Sequence, residues 1–169
     1  RAFKDMVRAF HREGIAVVMD VVYNHLSEYE LGNLKEIDHE YYFRLDANGG
    51  YRAESGCGND IKTERPMMRR MIVESILYWM KEYHIDGFRF DLGKLIDWET
   101  VEAIRYEAEK INPNVIIVCE PWGGGYDPKG FSVRGWGAWN DQIRNGIKGE
   151  NPINGHGWIF GKWYGNNNP

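Results

Sequence analysis

The chain has 169 residues, of which 43% are hydrophobic and 27% are charged, and its formal net charge at pH 7 is −4. This length suits one ordinary domain, the composition is that of a globular protein, and scattered lysines and arginines under a net negative charge disfavour nucleic acid as a partner. No apolar run approaches the about 18 residues that a membrane span needs, so no membrane partner is predicted either. The two cysteines, Cys57 and Cys119, lack the spacing of a metal site or of a disulfide framework.

The first third of the chain predicts a helix, a buried strand and a long irregular segment. Apolar residues at helical spacing predict a helix over residues 1–13, which Gly14 ends. The stretch IAVVMDVVYNH, residues 15–25, is apolar almost throughout, as is typical of a parallel strand that is buried on both faces. Residues 26–62 are rich in glycine and asparagine without a clear period, which predicts a long loop excursion with a small hairpin.

Two helices and two strands follow in alternation. Residues 63–83 predict a helix with Thr63 as its N-cap and Pro66 in its first turn. A second helix, capped by Asp97, is predicted to end near residue 112. The strands are IDGFRFD and NVIIVCE, with a further strand predicted near Trp139. The helical residues expected to face the core are Met68, Ile72, Ile76, Trp79 or Met80, Val101, Ile104, Ala108 and Ile111.

This alternation of helices and strands predicts an α/β fold with a parallel sheet and right-handed crossovers. The three clear strands end at Asn24-His25, at Asp91 and at Glu120. In parallel α/β folds, ligands bind and reactions take place at the carboxyl ends of the strands. We therefore expect these polar residues to form a functional site.

Two strand-end carboxylates carry the chemical argument. Because side chains alternate along a strand, Arg89 and Asp91 share one face, and the guanidinium would keep the carboxylate ionised and oriented. Glu120 ends the next strand, about 4.8 Å away, so the two carboxylates could stand at the spacing of a retaining glycosidase. The alternatives are a structural salt bridge for Arg89 and Asp91, and a capping or solvent-facing role for Glu120.

Five aromatic residues lie among glycines near the end of the chain, outside any regular period: Trp122, Tyr126, Trp136, Trp139 and Trp158. Aromatic faces stack on the apolar C–H faces of sugar rings, so these residues are predicted to bind carbohydrate. The alternative is that they anchor their own loop.

At these residues the sequence resembles the α-amylase superfamily of glycoside hydrolases. The stretches DVVYNH, DGFRFD and VIIVCE, at residues 20–25, 86–91 and 115–120, look like three of its signature regions in the expected order. SGCGND at 55–60 with the following helix, and WNDQIRNGIKG at 139–149, resemble more narrowly the bacterial type I pullulanases and isoamylase-type debranching enzymes. The resemblance implies a partial TIM (β/α)8 barrel, from about strand three to strand six, with an inserted loop after strand three.

The resemblance also implies a role for each matching residue. Asp91 matches the nucleophile, Glu120 the general acid/base and Arg89 the arginine that orients the nucleophile. His25 matches a histidine that binds sugar in the cleaved subsite, whereas Asp20 matches a structural residue. We further expect substrate contacts from Tyr23, Asn24, Trp122 and Lys94. The asparagine helps to hold calcium in some relatives, but few other calcium ligands are recognisable, so no cofactor is expected.

Three departures from the family pattern affect the functional prediction. The nucleophile is followed by Leu92-Gly93-Lys94 rather than by a Leu-Met-Gly run, and Glu120 by PWGGG. The His-Asp pair of the family's strand seven is absent from the sequence, which ends in YGNNNP. We therefore predict a fragment of a catalytic domain that is inactive by itself.

The favoured function is that of a retaining α-glucan hydrolase that cleaves α-1,6 branch linkages of pullulan, glycogen or starch-derived oligosaccharides. The alternatives are an α-1,4-acting amylase of the same superfamily, and a non-catalytic glucan-binding homologue or inactive barrel fragment. A barrel enzyme that holds a divalent metal with strand-end carboxylates is less well supported, because a third acidic ligand and a catalytic lysine or histidine are not found in the expected places.

Overall fold

Four parallel β-strands form the central sheet of this computed structural model, which describes residues 1–27, 32–149 and 157–160. The strands lie side by side in chain order, so the predicted parallel sheet is confirmed. The first three strands are shorter than the stretches of sequence that predicted them. The strands are β1 (Val18–Val21), β2 (Gly87–Phe90), β3 (Ile116–Cys119) and β4 (Gly137–Ala138).

Helices connect the strands and cover one face of the sheet. The α-helices of the described residues are α1 (Ala2–Arg12), α2 (Asn33–Tyr42), α3 (Pro66–Tyr83), α4 (Trp98–Ile111), α5 (Pro128–Ser132) and α6 (Asp141–Lys148). Short 3-10 helices span Gly93–Leu95 and Trp158–Phe160. The chain divides into one compact unit of residues 1–138 and a second of residues 139–169, which contains α6. No helix of the described residues is long and apolar enough to cross a membrane.

The core lies between the outward face of the sheet and helices α3 and α4. Phe88 and Phe90 point outward from β2 and are fully buried there, which follows from the alternation of side chains along a strand. The predicted stripes are confirmed at Met68, Ile72, Ile76, Met80, Val101, Ile104 and Ala108, which are all buried. Ile111 was predicted wrongly as a core residue, since it closes the last turn of α4 and is 37% exposed.

The excursion after β1 is more ordered than the sequence predicted. Its hairpin is confirmed by the antiparallel bridge between Leu45 and Tyr51, and a second antiparallel bridge joins Phe43 to Ile61. The helix α2 was not predicted. Asp60, which is fully buried, accepts hydrogen bonds from the backbone N–H groups of Glu54 and Ser55 at 2.7 Å and 3.0 Å. The carboxylate therefore supplies the partners that this buried backbone needs.

The start of α3 differs from its prediction. Its N-cap is Arg65, with Pro66 at the first helical position, rather than Thr63. The Thr63 hydroxyl instead accepts a hydrogen bond from the Asp97 N–H, and the Thr63 carbonyl accepts one from the Thr100 hydroxyl. Thr63 thus joins the beginnings of α3 and α4.

The inward face of the sheet is set by the strand register. Asp20 of β1 pairs with Arg89 of β2, which pairs in turn with Val118 of β3, so these three side chains point to the same side. Gly87 lies in the next inward position, where an added Cβ atom would be 2.2 Å from the Ile116 carbonyl oxygen. A glycine is therefore required for β2 and β3 to approach each other at this point.

Asp97 should contribute stability that depends on pH. Burial acts to raise its pKa, but hydrogen bonds with Thr100 and Thr63 and the charge of Arg69 outweigh burial and lower the pKa from 3.8. The contribution is therefore present above pH 4 and is lost as the pH falls further. We expect Asp97→Ala to lower the free energy of unfolding at pH 7 by about 1–2 kcal/mol.

The control is Asp97→Asn, which keeps an N-cap acceptor but removes the charge. Chemical denaturation between pH 7 and pH 2.5 measures all three proteins. The assignment would be refuted if Asp97→Ala were as stable as the wild type at pH 7.

Candidate active site

Arg89 lies at the centre of a cluster of charged side chains at the carboxyl end of the sheet. Its Nη1 atom is 2.8 Å from Asp20 Oδ1 and 3.3 Å from Asp91 Oδ1. Its Nη2 atom contacts Glu120 Oε1. Three neighbouring strands, β1, β2 and β3, therefore each bring a carboxylate to one guanidinium, either within the strand or just after it.

Burial strengthens these contacts. The side chains of Arg89 and Glu120 are 19% and 12% exposed, whereas Asp20 is 67% exposed. Desolvation acts to lower the pKa of Arg89, but Asp20, Glu120 and Asp91 outweigh it, and the pKa is raised above its ordinary value. The guanidinium is thus a permanent charge that holds the two less exposed carboxylates, Asp91 and Glu120, next to each other.

Asn24 orients Asp91 from the side opposite Arg89. Its buried Nδ2 group donates hydrogen bonds to the backbone oxygen of Asp91 at 2.8 Å and to Asp91 Oδ2 at 3.2 Å. Its Oδ1 atom is 2.5 Å from His25 Nδ1. Because an amide oxygen can only accept, Nδ1 is the nitrogen of His25 that carries the proton here, and Nε2 remains available to a ligand.

Glu120 is held by the main chain as well as by Arg89. The backbone N–H of Leu92 donates to Glu120 Oε2 at 3.1 Å, and the N–H of Gly93 donates to the Glu120 carbonyl at 2.8 Å. The sequence does not predict this contact. No residue type in the sequence indicates these hydrogen bonds, because the donors are backbone N–H groups of the turn after β2.

Three predicted substrate residues lie outside this cluster. The hydroxyl of Tyr23 is 2.7 Å from the Ser75 hydroxyl of α3, and burial, offset in part by that hydrogen bond, raises the Tyr23 pKa. Lys94 places its ammonium over the ring of Trp98, 4.9 Å from the centroid. Trp122 is half-buried, and its carbonyl accepts a hydrogen bond from the Lys94 N–H.

Of the five aromatic residues predicted to bind sugar, Trp136 is placed in the core instead. It is 2% exposed and packs against Phe90 and Phe131, with ring centroids 4.6 Å and 5.8 Å away. Tyr126 is exposed and pairs with Trp122 in an antiparallel bridge. The remaining two, Trp139 and Trp158, belong to the second unit.

Neither cysteine nor metal chemistry is favoured by the described residues. Burial raises the pKa of the Cys119 thiol to about 12, so it carries no thiolate at neutral pH. Within residues 1–27, 32–149 and 157–160, no group of three or more histidine, cysteine, aspartate or glutamate side chains could hold a metal ion. The Asn24 amide, which would be a calcium ligand in some relatives, already bonds Asp91 and His25.

The arrangement suits hydrolysis by two carboxylates. Asp91 lies beside a guanidinium, is oriented by Asn24 and is open enough to meet a ligand, since its side chain is 25% exposed. Glu120 stands beside it on the next strand. A nucleophile and a proton donor on adjacent strand ends are the groups that a retaining glycosidase needs.

Comparison with known proteins finds similar enzymes, although no family model matches the chain. It is 34% identical over 155 residues to the pullulanase of Bacillus subtilis (strain 168), a match that covers 86% of this chain and 22% of that protein. It is 33% identical to the glycogen debranching enzyme of Serratia proteamaculans (strain 568), covering 88% of this chain and 24% of the enzyme. It is 34% identical to the chloroplastic isoamylase 3 of Oryza sativa subsp. japonica, with 92% and 23% covered.

The solved structures include a similar fold. The pullulanase of Paenibacillus barengoltzii, in complex with maltohexaose and α-cyclodextrin, matches with a TM-score of 0.86 and 36% identity. The match covers 95% of this chain and 26% of that one. The chain therefore spans about a quarter of the length of the relatives that it matches.

Arg89 should stabilise the chain by holding the carboxylates together. Removing one partner of a partly buried ion pair leaves uncompensated charge, so we expect Arg89→Met to lower the free energy of unfolding by about 2–4 kcal/mol, somewhat less than for a fully buried pair. Adding Glu120→Gln should restore part of this loss, because one of the unpaired charges is removed. Urea denaturation measures both effects.

The control is Arg70→Met, which removes an exposed pair with Glu74 and should change the free energy of unfolding much less than Arg89→Met does. Equal small effects at Arg70 and Arg89 would show that the cluster has no special stabilising role.

Proposed function

We propose that this chain, a homologue of the α-amylase-family debranching enzymes, supplies the two catalytic carboxylates of a retaining α-glucan hydrolase. The observation that carries the proposal is the pair of carboxylates, Asp91 and Glu120, joined by the guanidinium of Arg89 at the carboxyl end of a parallel sheet. The four strands would correspond to about strands three to six of a (β/α)8 barrel, whose active site lies at this end.

In the proposed reaction, Asp91 attacks the anomeric carbon while Glu120 gives its proton to the leaving glycosidic oxygen. Glu120 then removes a proton from water, and the water releases the sugar from Asp91. Asn24 and Arg89 keep the attacking carboxylate aimed throughout. His25 presents Nε2 to a sugar hydroxyl, because Asn24 occupies its Nδ1.

The contact between Arg89 and Glu120 has to change during this reaction. A carboxyl oxygen that faces a guanidinium cannot at the same time deliver a proton to a glycosidic oxygen. The glucan therefore has to take the place of Arg89 at Glu120, while Arg89 keeps Asp91 and Asp20. This exchange would let the same arginine hold the site together when it is empty and orient the nucleophile when it is filled.

The favoured linkage is the α-1,6 branch bond of pullulan, glycogen or starch-derived oligosaccharides, because the relatives named above are debranching enzymes. An α-1,4-acting amylase of the same superfamily would use the same two carboxylates. A non-catalytic glucan-binding homologue is the weaker alternative, since binding alone does not require both Asp91 and Glu120.

The role of Asp91 can be tested in a chimaera. Residues 1–149 of this chain replace the matching segment of the Paenibacillus barengoltzii pullulanase, which supplies the rest of a catalytic domain. We expect the chimaera to release reducing ends from pullulan, and Asp91→Asn to lower kcat by at least about a thousandfold, because the covalent route is removed.

The control is Asp46→Asn, a carboxylate of the excursion hairpin that bonds only backbone N–H groups in the described contacts. It should retain the activity of the parent chimaera. An Asp91→Asn chimaera with nearly full activity would refute the assignment.

The role of Glu120 predicts a dependence on the leaving group. Glu120→Gln cannot donate a proton, so hydrolysis of a natural branched oligosaccharide should fall by about a hundredfold or more. The first step on an α-glucosyl fluoride or an acidic phenyl glycoside should fall much less, because these groups leave without protonation. Burst kinetics compare the substrates, and equal losses on both would show that Glu120 is a structural residue.

A further inference from the structure

The turn after β2 donates two hydrogen bonds to Glu120. The Leu92 N–H bonds the side-chain Oε2 atom, and the Gly93 N–H bonds the main-chain oxygen of the same residue. An added Cβ atom at Gly93 would lie 2.9 Å from the Cβ atom of Cys119. The absence of a side chain there therefore lets the turn lie directly on the end of β3.

These two hydrogen bonds depend on an unusual backbone conformation at Leu92. Leu92 has φ 40° and ψ 50°, in the left-handed region that residues other than glycine, asparagine and aspartate seldom adopt. Of the described residues other than glycine, His84 alone shares a positive φ. Such a conformation persists where the surroundings hold it, and it often marks a functional site.

Neighbouring hydrogen bonds hold Leu92 in this conformation. The Asp91 N–H donates to the Val21 carbonyl of β1 at 3.1 Å, and the Leu92 carbonyl accepts from the Leu95 N–H at 3.0 Å. The Leu92 N–H lies between these two hydrogen-bonded groups. It therefore points toward Glu120 and does not continue the hydrogen-bond pattern of β2.

We propose that Leu92 is a positioning residue, whose left-handed backbone aims its N–H at Glu120 and thereby fixes the acid/base carboxylate relative to Asp91. The nucleophile and the donor that holds its partner are consecutive residues, so their spacing is set by a single peptide unit. The catalytic part of this inference rests on the function proposed above for Glu120, whereas the contact itself does not.

Three substitutions separate positioning from stability. Leu92→Val keeps the N–H but has a β-branched side chain, which disfavours the left-handed region, so the N–H should turn away from Glu120. Leu92→Gly enters that region freely and should rescue the contact. His84→Val introduces the same conflict at the C-terminal end of α3, away from Glu120.

In the chimaera, Leu92→Val should lower kcat for a branched oligosaccharide about tenfold to a hundredfold with little change in KM. The loss should be much smaller on the activated phenyl glycoside, which does not need the acid. Leu92→Gly should recover most of the activity, and His84→Val should change the activity ratio between the two substrates by less than about twofold. Equal ratios in Leu92→Val and His84→Val would overturn the proposed positioning role.

Amide hydrogen exchange in the chain itself tests the contact without any activity. The Leu92 amide should be protected in the wild type, and Glu120→Ala should reduce its protection by at least about tenfold. The Gly93 amide is the internal control, because its acceptor is a main-chain oxygen that this substitution leaves in place. A Leu92 amide that exchanges equally fast with and without the Glu120 side chain would overturn the proposal. A chimaera without hydrolytic activity would refute the proposed function instead, and the exchange result would still decide whether Leu92 holds Glu120.

Discussion

The candidate site depends on one guanidinium that three strands share. Arg89 is largely withdrawn from solvent, and an unpaired charge in such a place is costly, so its position is stable only while carboxylates surround it. Asp20, Asp91 and Glu120 meet that need from three adjacent strands or strand ends. The parallel register makes this possible, because it puts the three contributing positions on the same face of the sheet.

The residues around Arg89 connect the two carboxylates to the surrounding loops. Asn24 bonds Asp91 through its side chain, while its carbonyl accepts the Ile61 N–H at 2.9 Å from the end of the excursion. The long segment after β1 is thereby attached to the proposed nucleophile. On the other side, the turn at Leu92 attaches Glu120. Asp91 and Glu120 are thus each held by a charge and by a neutral hydrogen-bond donor, which leaves their relative position little freedom.

The sequence was sufficient to predict that Arg89, Asp91 and Glu120 lie together, because strand alternation and parallel topology decide which side chains share a face. The same alternation places Tyr23 with Val21 on the outward face, a signal that the substrate prediction did not use. Helix α2 was not predicted because it is short and irregular: Asp38 interrupts it with φ −168° and ψ 92°, and none of its residues is fully buried. The burial of Trp136 depends on Phe90 and Phe131 from two other elements, which no local pattern contains.

The covalent intermediate provides the most direct test of the central claim that Asp91 attacks while Glu120 supplies the proton. The Glu120→Gln chimaera would be treated with a fluorinated α-glucosyl fluoride, whose good leaving group permits the first step and whose ring fluorine slows the second. Digestion and mass spectrometry of the trapped protein locate the added sugar. The account predicts a single glucosyl group on the peptide that contains Asp91. A sugar attached to any other residue would contradict the account. So would a parent chimaera that hydrolyses glucan while Asp91 stays unmodified in the trapping experiment.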